Sequence, residues 1–265
     1  MRLGVYSFAG SGDMRANLAQ ILRGMALAGA QGVRLIAFHE CALTGYPPIE
    51  IAAEAIDFDE VERCAAQIAK AARENGLYAL CGCAMKRAER VYDAMRLFTP
   101  YGTEEAPYAK RALWGWDCDA FTPGESDGVY CIDGVKIGVR VCFEARFPEY
   151  FRELYRAGAE VGIVSLCDRQ GEENPARYQV IRAHLQTRAC ENILPLLCVN
   201  DAAAHQTAPT AVIDRNGYVA QELVGEGLLT CDWTRQPLTF GERGRAVYND
   251  RLCGGRREER TCDLY

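Results

Sequence analysis

The chain has 265 residues, of which 49% are hydrophobic and 25% charged, a composition that fits a globular α/β domain and excludes a disordered or collagen-like chain. Its formal net charge of -6 and pI near 5.3 argue against nucleic acid or an anionic membrane as partner, because both call for clustered Lys and Arg. No apolar run approaches the roughly 18–20 residues that span a bilayer, and "MRLGVYSFAGSGD" is apolar too briefly for a secretory leader, so a cytoplasmic protein is expected.

Strand-length apolar runs alternate with amphipathic stretches of helical period. "LGVYSF" predicts a first strand. "DMRANLAQILRGMALAGAQG" predicts a helix, with Asp13 as N-cap and Gly29 or Gly32 near its end. "VRLIAFHE" predicts a strand closing at Glu40, before the turn-rich "TGYPP". "FDEVERCAAQIAKAARENG" predicts a helix stopped at Asn75-Gly76. "LYALCGCAM" and "VYDAMRLFT" are two strands joined by the charged turn "KRAER". Residues 100–126 read as a long loop carrying Lys110, two tryptophans and "TPGE". "VYCIDG" and "VKIGVRVCF" form a hairpin turning at Asp133-Gly134. A helix over 148–159, the strand "VGIVSLC", the helix "ARYQVIRAHLQTRACEN" and the strand "LPLLCVN" follow. The last part is β-rich: "TAVIDRNGYVAQELV" turns at Asn216-Gly217, and "GLLTCDW" comes after it. With no repeat or low-complexity linker, residues 1–265 are expected to form a single α/β domain, with 250–265 a charged C-terminal tail.

Thirteen cysteines is an odd count without a Cys-x-x-Cys pair, and the closest two, Cys81 and Cys83, share a strand. Together with only three histidines this predicts small buried thiols rather than a disulfide framework or a metal site. Three polar residues stand at strand ends or in the long loop, where α/β sheets gather functional groups: Glu40, Lys110 and Cys142. A nearby lysine and a helix starting at Arg146-Phe147-Pro148-Glu149 would both favour a Cys142 thiolate. Singly, each has a structural reading: a core cysteine, a capping or ion-paired glutamate, a surface lysine. A Cys–His pair could draw on His39, His184 or His205, but His39 adjoins Glu40 in the predicted strand and should point to the opposite face.

Taken together, "LIAFHECALTGYPP", "YAKRALW" with "FTPGE", and "GVRVCFEARFPEYFRELYRAGAEV" resemble the carbon-nitrogen hydrolase (nitrilase) superfamily. "AARENGLYALCGC", "RACENILPLLCVN" and "AVIDRNGYVAQEL" extend the resemblance over nearly the whole chain. It implies a four-layer α-β-β-α sandwich and a Glu-Lys-Cys triad. Glu40 would be the general base, Lys110 the oxyanion-stabilising cation and Cys142 the nucleophile, with the Phe143 backbone N–H a further oxyanion donor. It also implies hydrolysis through a thioester, no metal or organic cofactor, and a homodimer or higher homo-oligomer.

One departure stands out. Many members carry a second glutamate before the Pro-Gly turn, where this chain has Asp117, one methylene shorter. Glu144 is a further acidic candidate, with a structural reading as partner of Arg146 or of nearby backbone. "CFEARFPE" is closer to amidase-like branches than to the Cys-Trp-Glu of nitrilases, so an amide or N-carbamoyl substrate is expected; nitrile hydrolysis, a non-catalytic member and a redox thiol protein are the alternatives. Tyr46, Trp114, Trp116 and Phe143 would line the pocket, with Arg146 and Cys167 beside them. Asp168 or Arg169 would face the substrate, asking for an opposite charge on a small polar ligand.

Overall fold

The computed structural model describes residues 1–253. Strand β1 (Arg2–Ser7) leads into α1 (Met14–Ala30), where Asp13 caps the backbone N–H groups of Arg15 and Ala16. β2 (Leu35–Phe38) and α2 (Phe58–Asn75) follow, the helix ending on Gly76 in the left-handed conformation, φ 64°. β3 (Tyr78–Arg87) and β4 (Arg90–Phe98) form a hairpin. Next come β5 (Tyr108–Ala109), the one-turn helix α3 (Asp117–Ala120), and β6 (Val129–Ile132) with β7 (Val135–Val141), joined by the two-residue turn Asp133-Gly134, both at positive φ. Then α4 (Pro148–Arg156), β8 (Val161–Leu166), α5 (Pro175–Asn192) and β9 (Leu196–Asn200) alternate. β10 (Thr210–Ile213), β11 (Val219–Leu223), β12 (Gly227–Asp232) and α6 (Phe240–Leu252) complete the described chain.

Among the described residues the strands make two six-stranded sheets, ordered β12-β1-β2-β3-β4-β5 and β11-β10-β9-β8-β7-β6. Period-two alternation explains how each is buried on both faces. In β2, Leu35 and Ala37 enter the layer between the sheets, while Ile36 and Phe38 meet Ile21 and Met25 of α1 on the outside. In β8, Val161 and Ile163 point inward, while Val164 and Leu166 pack under Leu154 of α4 and Leu185 of α5. The result is the four-layer α-β-β-α sandwich. Gly138 admits the outer helix: a Cβ there would lie 2.6 Å from a methyl of Leu154.

Several expectations need correction. β2 stops at Phe38, two residues before Glu40, because the chain turns away at His39. Residues 100–126 are not all loop: β5 pairs with β4 (Ala94 opposite Ala109), and α3 adds a single turn, both too short to leave a periodic signature. The helix over 148–159 ends at Arg156. α6 is a helix the sequence reading missed, opened by a Thr239–Glu242 capping box, and residues 250–252 form its last turn, with Cys253 as its C-cap, rather than a tail; residues 254–265 of that expected tail lie outside the described residues. Cys41, Cys64, Cys81, Cys83, Cys167 and Cys198 are buried free thiols, but Cys131 is disulfide-bonded.

Candidate active site

Glu40 sits in the tight turn after β2, which rests directly on β3. Gly82, the middle of the "CGC" stretch, makes this possible. A Cβ there would collide with the His39 carbonyl and lie 2.7 Å from the Cys41 nitrogen and 2.9 Å from the Glu40 Cα. The Leu43 N–H donates to the Gly82 carbonyl at 3.0 Å and pins the turn. Lys110 follows β5. Its N–H donates to the Asp93 carbonyl at 2.8 Å, and its own carbonyl accepts from Gly124 N–H of "TPGE" at 2.9 Å.

These anchors converge three carboxyls on one ammonium, all with fully buried side chains. Lys110 Nζ donates to Glu40 Oε1 at 2.6 Å and to Asp117 Oδ2 at 2.7 Å, and lies 3.5 Å from Asp93 Oδ2. Burial works against the ammonium, but Glu40 and Asp93 outweigh it and hold the Lys110 pKa well above its ordinary value. Asp117 reaches the lysine despite its missing methylene because α3 brings its backbone close. It also accepts from the Trp114 N–H at 2.8 Å and from the Tyr46 hydroxyl. Burial, then the Glu40 charge, push Tyr46 upward, so its hydroxyl remains a donor. Glu40 Oε2 accepts from the Cys167 N–H at 2.8 Å.

Asp93 was missed by sequence reasoning. It lies in the strand "VYDAMRLF", where an acidic residue flanked by apolar ones was the only signal. Glu144, by contrast, is engaged by the scaffold. It accepts from the Tyr108 hydroxyl at 2.7 Å, the Arg111 N–H at 2.8 Å and the Val141 N–H at 2.7 Å. It makes none of the Lys110 contacts and does not bond Arg146. His39 is buried against Phe8, ring centroids 4.5 Å apart. Burial lowers its pKa to about 4.

Cys142 stands where β7 gives way to a 3-10 turn, Cys142–Arg146, with φ at +40°. That is a costly conformation for a residue with a Cβ, and it presents the thiol at the end of the strand. The expected resting thiolate is not favoured. Enclosure and the Glu40 charge raise the thiol well above its ordinary pKa, against the smaller opposing pulls of Lys110 and the Cys167 N–H. The neutral thiol of Cys142 is thus the form that its surroundings favour.

The thiol opens into a cavity of about 700 Å³. Tyr46, Trp114, Trp116, Phe143, Arg146, Cys167, Asp168 and Arg169 all line it, and Ile49, Gln170, Glu172 and Arg177 join them. Trp114 stands edge-on to Phe143 at 5.0 Å. The charges on the rim are not waiting for a ligand. Asp168 pairs with Arg177 at 3.0 Å and accepts from Thr207 Oγ1 at 2.5 Å, and Arg169 is held by Glu50 at 2.7 Å and Asp201 at 3.0 Å. The opposite charge expected of the ligand is thus supplied by the chain. Arg146 is more loosely engaged, its nearest carboxylate being Asp168 at 3.8 Å.

A thiol on a cavity wall with a carboxylate and an ammonium acting on it is a grouping of the kind that supports nucleophilic attack on a polarised carbon. The carbon-nitrogen hydrolase family model matches residues 4–234, and the chain belongs to that family. It is 29% identical to an (R)-stereoselective amidase of Pseudomonas sp, over 77% of this chain and 72% of that one. It is 26% identical to nitrilase homolog 2 of Dictyostelium discoideum, over 93% of this chain and 75% of that one. Among solved structures it is similar to the amidase of Nesterenkonia sp. AN1, at 25% identity and a TM-score of 0.78 over 88% of this chain and 90% of that one. Variants of that amidase carry the acetamide moiety of fluoroacetamide on the active-site cysteine, or hold butyramide.

Proposed function

We propose that this chain hydrolyses the carbon–nitrogen bond of a small polar amide or N-carbamoyl compound through a thioester on Cys142. The observation that carries this reading is the fully buried Glu40–Lys110–Asp117 contact, whose glutamate and lysine are the charges acting most strongly on Cys142, the thiol that lines the cavity. Glu40 takes the thiol proton as sulfur attacks the carbonyl carbon. The oxygen becomes an oxyanion, met by the Lys110 ammonium and the Phe143 N–H. Glu40 returns the proton to the nitrogen, the carbon–nitrogen bond breaks, and ammonia or an amine leaves. Water, deprotonated by Glu40, then attacks the thioester; the acid is released and the proton returns to sulfur. Asp117 holds Lys110 in place through both steps.

The aromatic walls suit a ligand with an apolar body, and Arg146 has donors left for its polar end. The covalent acetamide moiety and the bound butyramide in variants of the Nesterenkonia amidase support amide over nitrile chemistry. A cytoplasmic site of action and homo-oligomeric assembly belong to the same proposal, the second tested by light scattering. The decisive experiment is an ammonia-release screen over aliphatic amides, ω-amides and N-carbamoyl compounds, followed by intact-mass detection of an acyl adduct on a slow substrate. Turnover without any adduct that disappears with Cys142→Ala would overturn the thioester route.

A further inference from the structure

We propose that Asp93 carries a proton in the working site and donates it to Glu40, so that the three carboxyls around Lys110 hold two negative charges and Glu40 is fixed by three donors. The inference rests on Glu40 being the base, but its argument is a count of donors. Asp117 receives three: the Lys110 ammonium, the Trp114 N–H and the Tyr46 hydroxyl. Glu40 receives two, from Lys110 and the Cys167 N–H. Asp93 receives one weak donor, Cys41 Sγ at 3.6 Å from Oδ1. Its distance to Lys110, 3.5 Å, satisfies an ion pair but is long for a hydrogen bond.

Asp93 Oδ2 has no hydrogen-bond partner although the residue is fully buried. An ionised oxygen in that position would be left without a donor in a dry interior, at a full desolvation cost. Glu40 is the charged group that acts most strongly on Asp93, and the two carboxyls crowd one ammonium, Glu40 at 2.6 Å and Asp93 at 3.5 Å from Lys110 Nζ. Two acceptors cannot bond each other, but one proton between them satisfies both. The groups facing Asp93 agree. Glu40 and Cys41 come from the turn after β2, Cys83 from β3, Lys110 from the end of β5 and Asp117 from α3; of these only Lys110 is cationic. Burial and Glu40 together push the Asp93 carboxyl well above its ordinary range, against Lys110. Asp93 is then a positioning residue. It holds the orientation of Glu40 and leaves the carboxyls one negative charge in excess of the ammonium rather than two.

Infrared difference spectroscopy of the wild type against Asp93→Asn at neutral pH should show the carbonyl band of a protonated carboxyl in the wild type and its loss in the variant. No such band overturns the proposal. This arm needs no turnover, so it decides even if the amide screen fails. In the kinetic arm, Asp93→Ala removes the donor to Glu40 and should lower kcat by about 10- to 100-fold. It should also move the acidic limb of the pH profile up by about one unit, because a carboxylate that loses a donor holds its own proton more tightly. Asp93→Asn keeps a neutral donor of the same shape and should restore both. If Asp93 were ionised, each substitution would remove a negative charge beside Glu40, and the acidic limb would move to lower pH in both. That outcome overturns the proposal.

Discussion

Two clusters of charge meet at Cys142 and are built on opposite terms. Beneath the thiol, Glu40, Asp93 and Asp117 surround Lys110 with no exposed surface, three carboxyls to one cation. Around the mouth, Asp168, Glu50 and Asp201 face Arg146, Arg169 and Arg177, acid for base, with the arginine side chains 14–25% exposed. The floor is unbalanced and dry, so any change in its proton count is felt strongly by the groups that share it. The rim is balanced and partly wet, so it shapes the opening without leaving a charge for the chemistry to use. Residues of the floor should therefore govern rate, and residues of the rim should govern binding.

The sharpest break between floor and rim is Cys142→Ala, which should reduce turnover by at least about 10⁴-fold with an unchanged melting temperature. Retained activity would remove the floor from the chemistry altogether. Lys110→Met should cost about 10²- to 10³-fold in kcat. It should also destabilise the fold by about 3–5 kcal/mol in urea titration, since it leaves buried carboxylates without their cation. A loss of activity alone, with stability intact, would show that the floor tolerates its excess charge.

His39 tests the far side of the rim, because Asp201 and Arg169 are the charged groups that face it. Its pKa is about 4 when folded, against an ordinary value near 6.5, so the unfolded chain takes up the proton first as pH falls. The stability it contributes is complete above pH ~6.5 and is lost between ~6.5 and ~4, about 3 kcal/mol in all. Chemical denaturation across that range should show the fall, and His39→Gln should flatten it. Identical pH slopes for the two proteins would place the histidine outside the balance.

Asp117→Asn should lower kcat by about 10-fold, less than Lys110→Met, because the lysine keeps Glu40. A change in KM alone would move Asp117 from the floor to the rim. Asp168→Ala and Arg169→Ala are expected to raise KM by a few-fold, about 1 kcal/mol or less each, and to leave kcat near its starting value. A kcat effect equal to that of Asp117→Asn would erase the distinction between the two clusters.

Much of this was legible in the chain because the motifs sit at punctuation. Asp13, Gly76 and Asp133-Gly134 stop and start elements by local chemistry, and the alternation in β2 and β8 announces strands buried on both faces. Glu40, Lys110 and Cys142 could be set side by side only through the family resemblance, since the first and last lie 102 positions apart. What stayed hidden depends on long-range contact. Asp93 reads as one acidic residue in a strand until the turn after β2 is laid across it. The pull of Lys110 toward a Cys142 thiolate was visible in the sequence, and the opposing effects of burial and the Glu40 charge were not. The pairing of Arg169 with Glu50 and Asp201 joins segments far apart in the chain, so no local pattern records it.

Glu40 and Lys110 hang from the first sheet, and Cys142 and Cys167 from the second. The proposed base and nucleophile thus share no strand, and their alignment is a property of the seam between the layers. Polar stitches cross it nearby: Ser7 Oγ to the Asn200 carbonyl at 2.7 Å, Ser165 Oγ to the Phe38 carbonyl at 2.9 Å, the Cys167 N–H to Glu40, and the Tyr108 hydroxyl and Arg111 N–H to Glu144. Between them lies apolar contact, such as Leu35 and Ala37 with Val139 and Ile163. A slip of about 1 Å along that seam would cost about 10²-fold in rate while every strand kept its hydrogen bonds. Activity in this fold is therefore a vernier on sheet docking. On warming, it should fade before the circular dichroism of the sheets does.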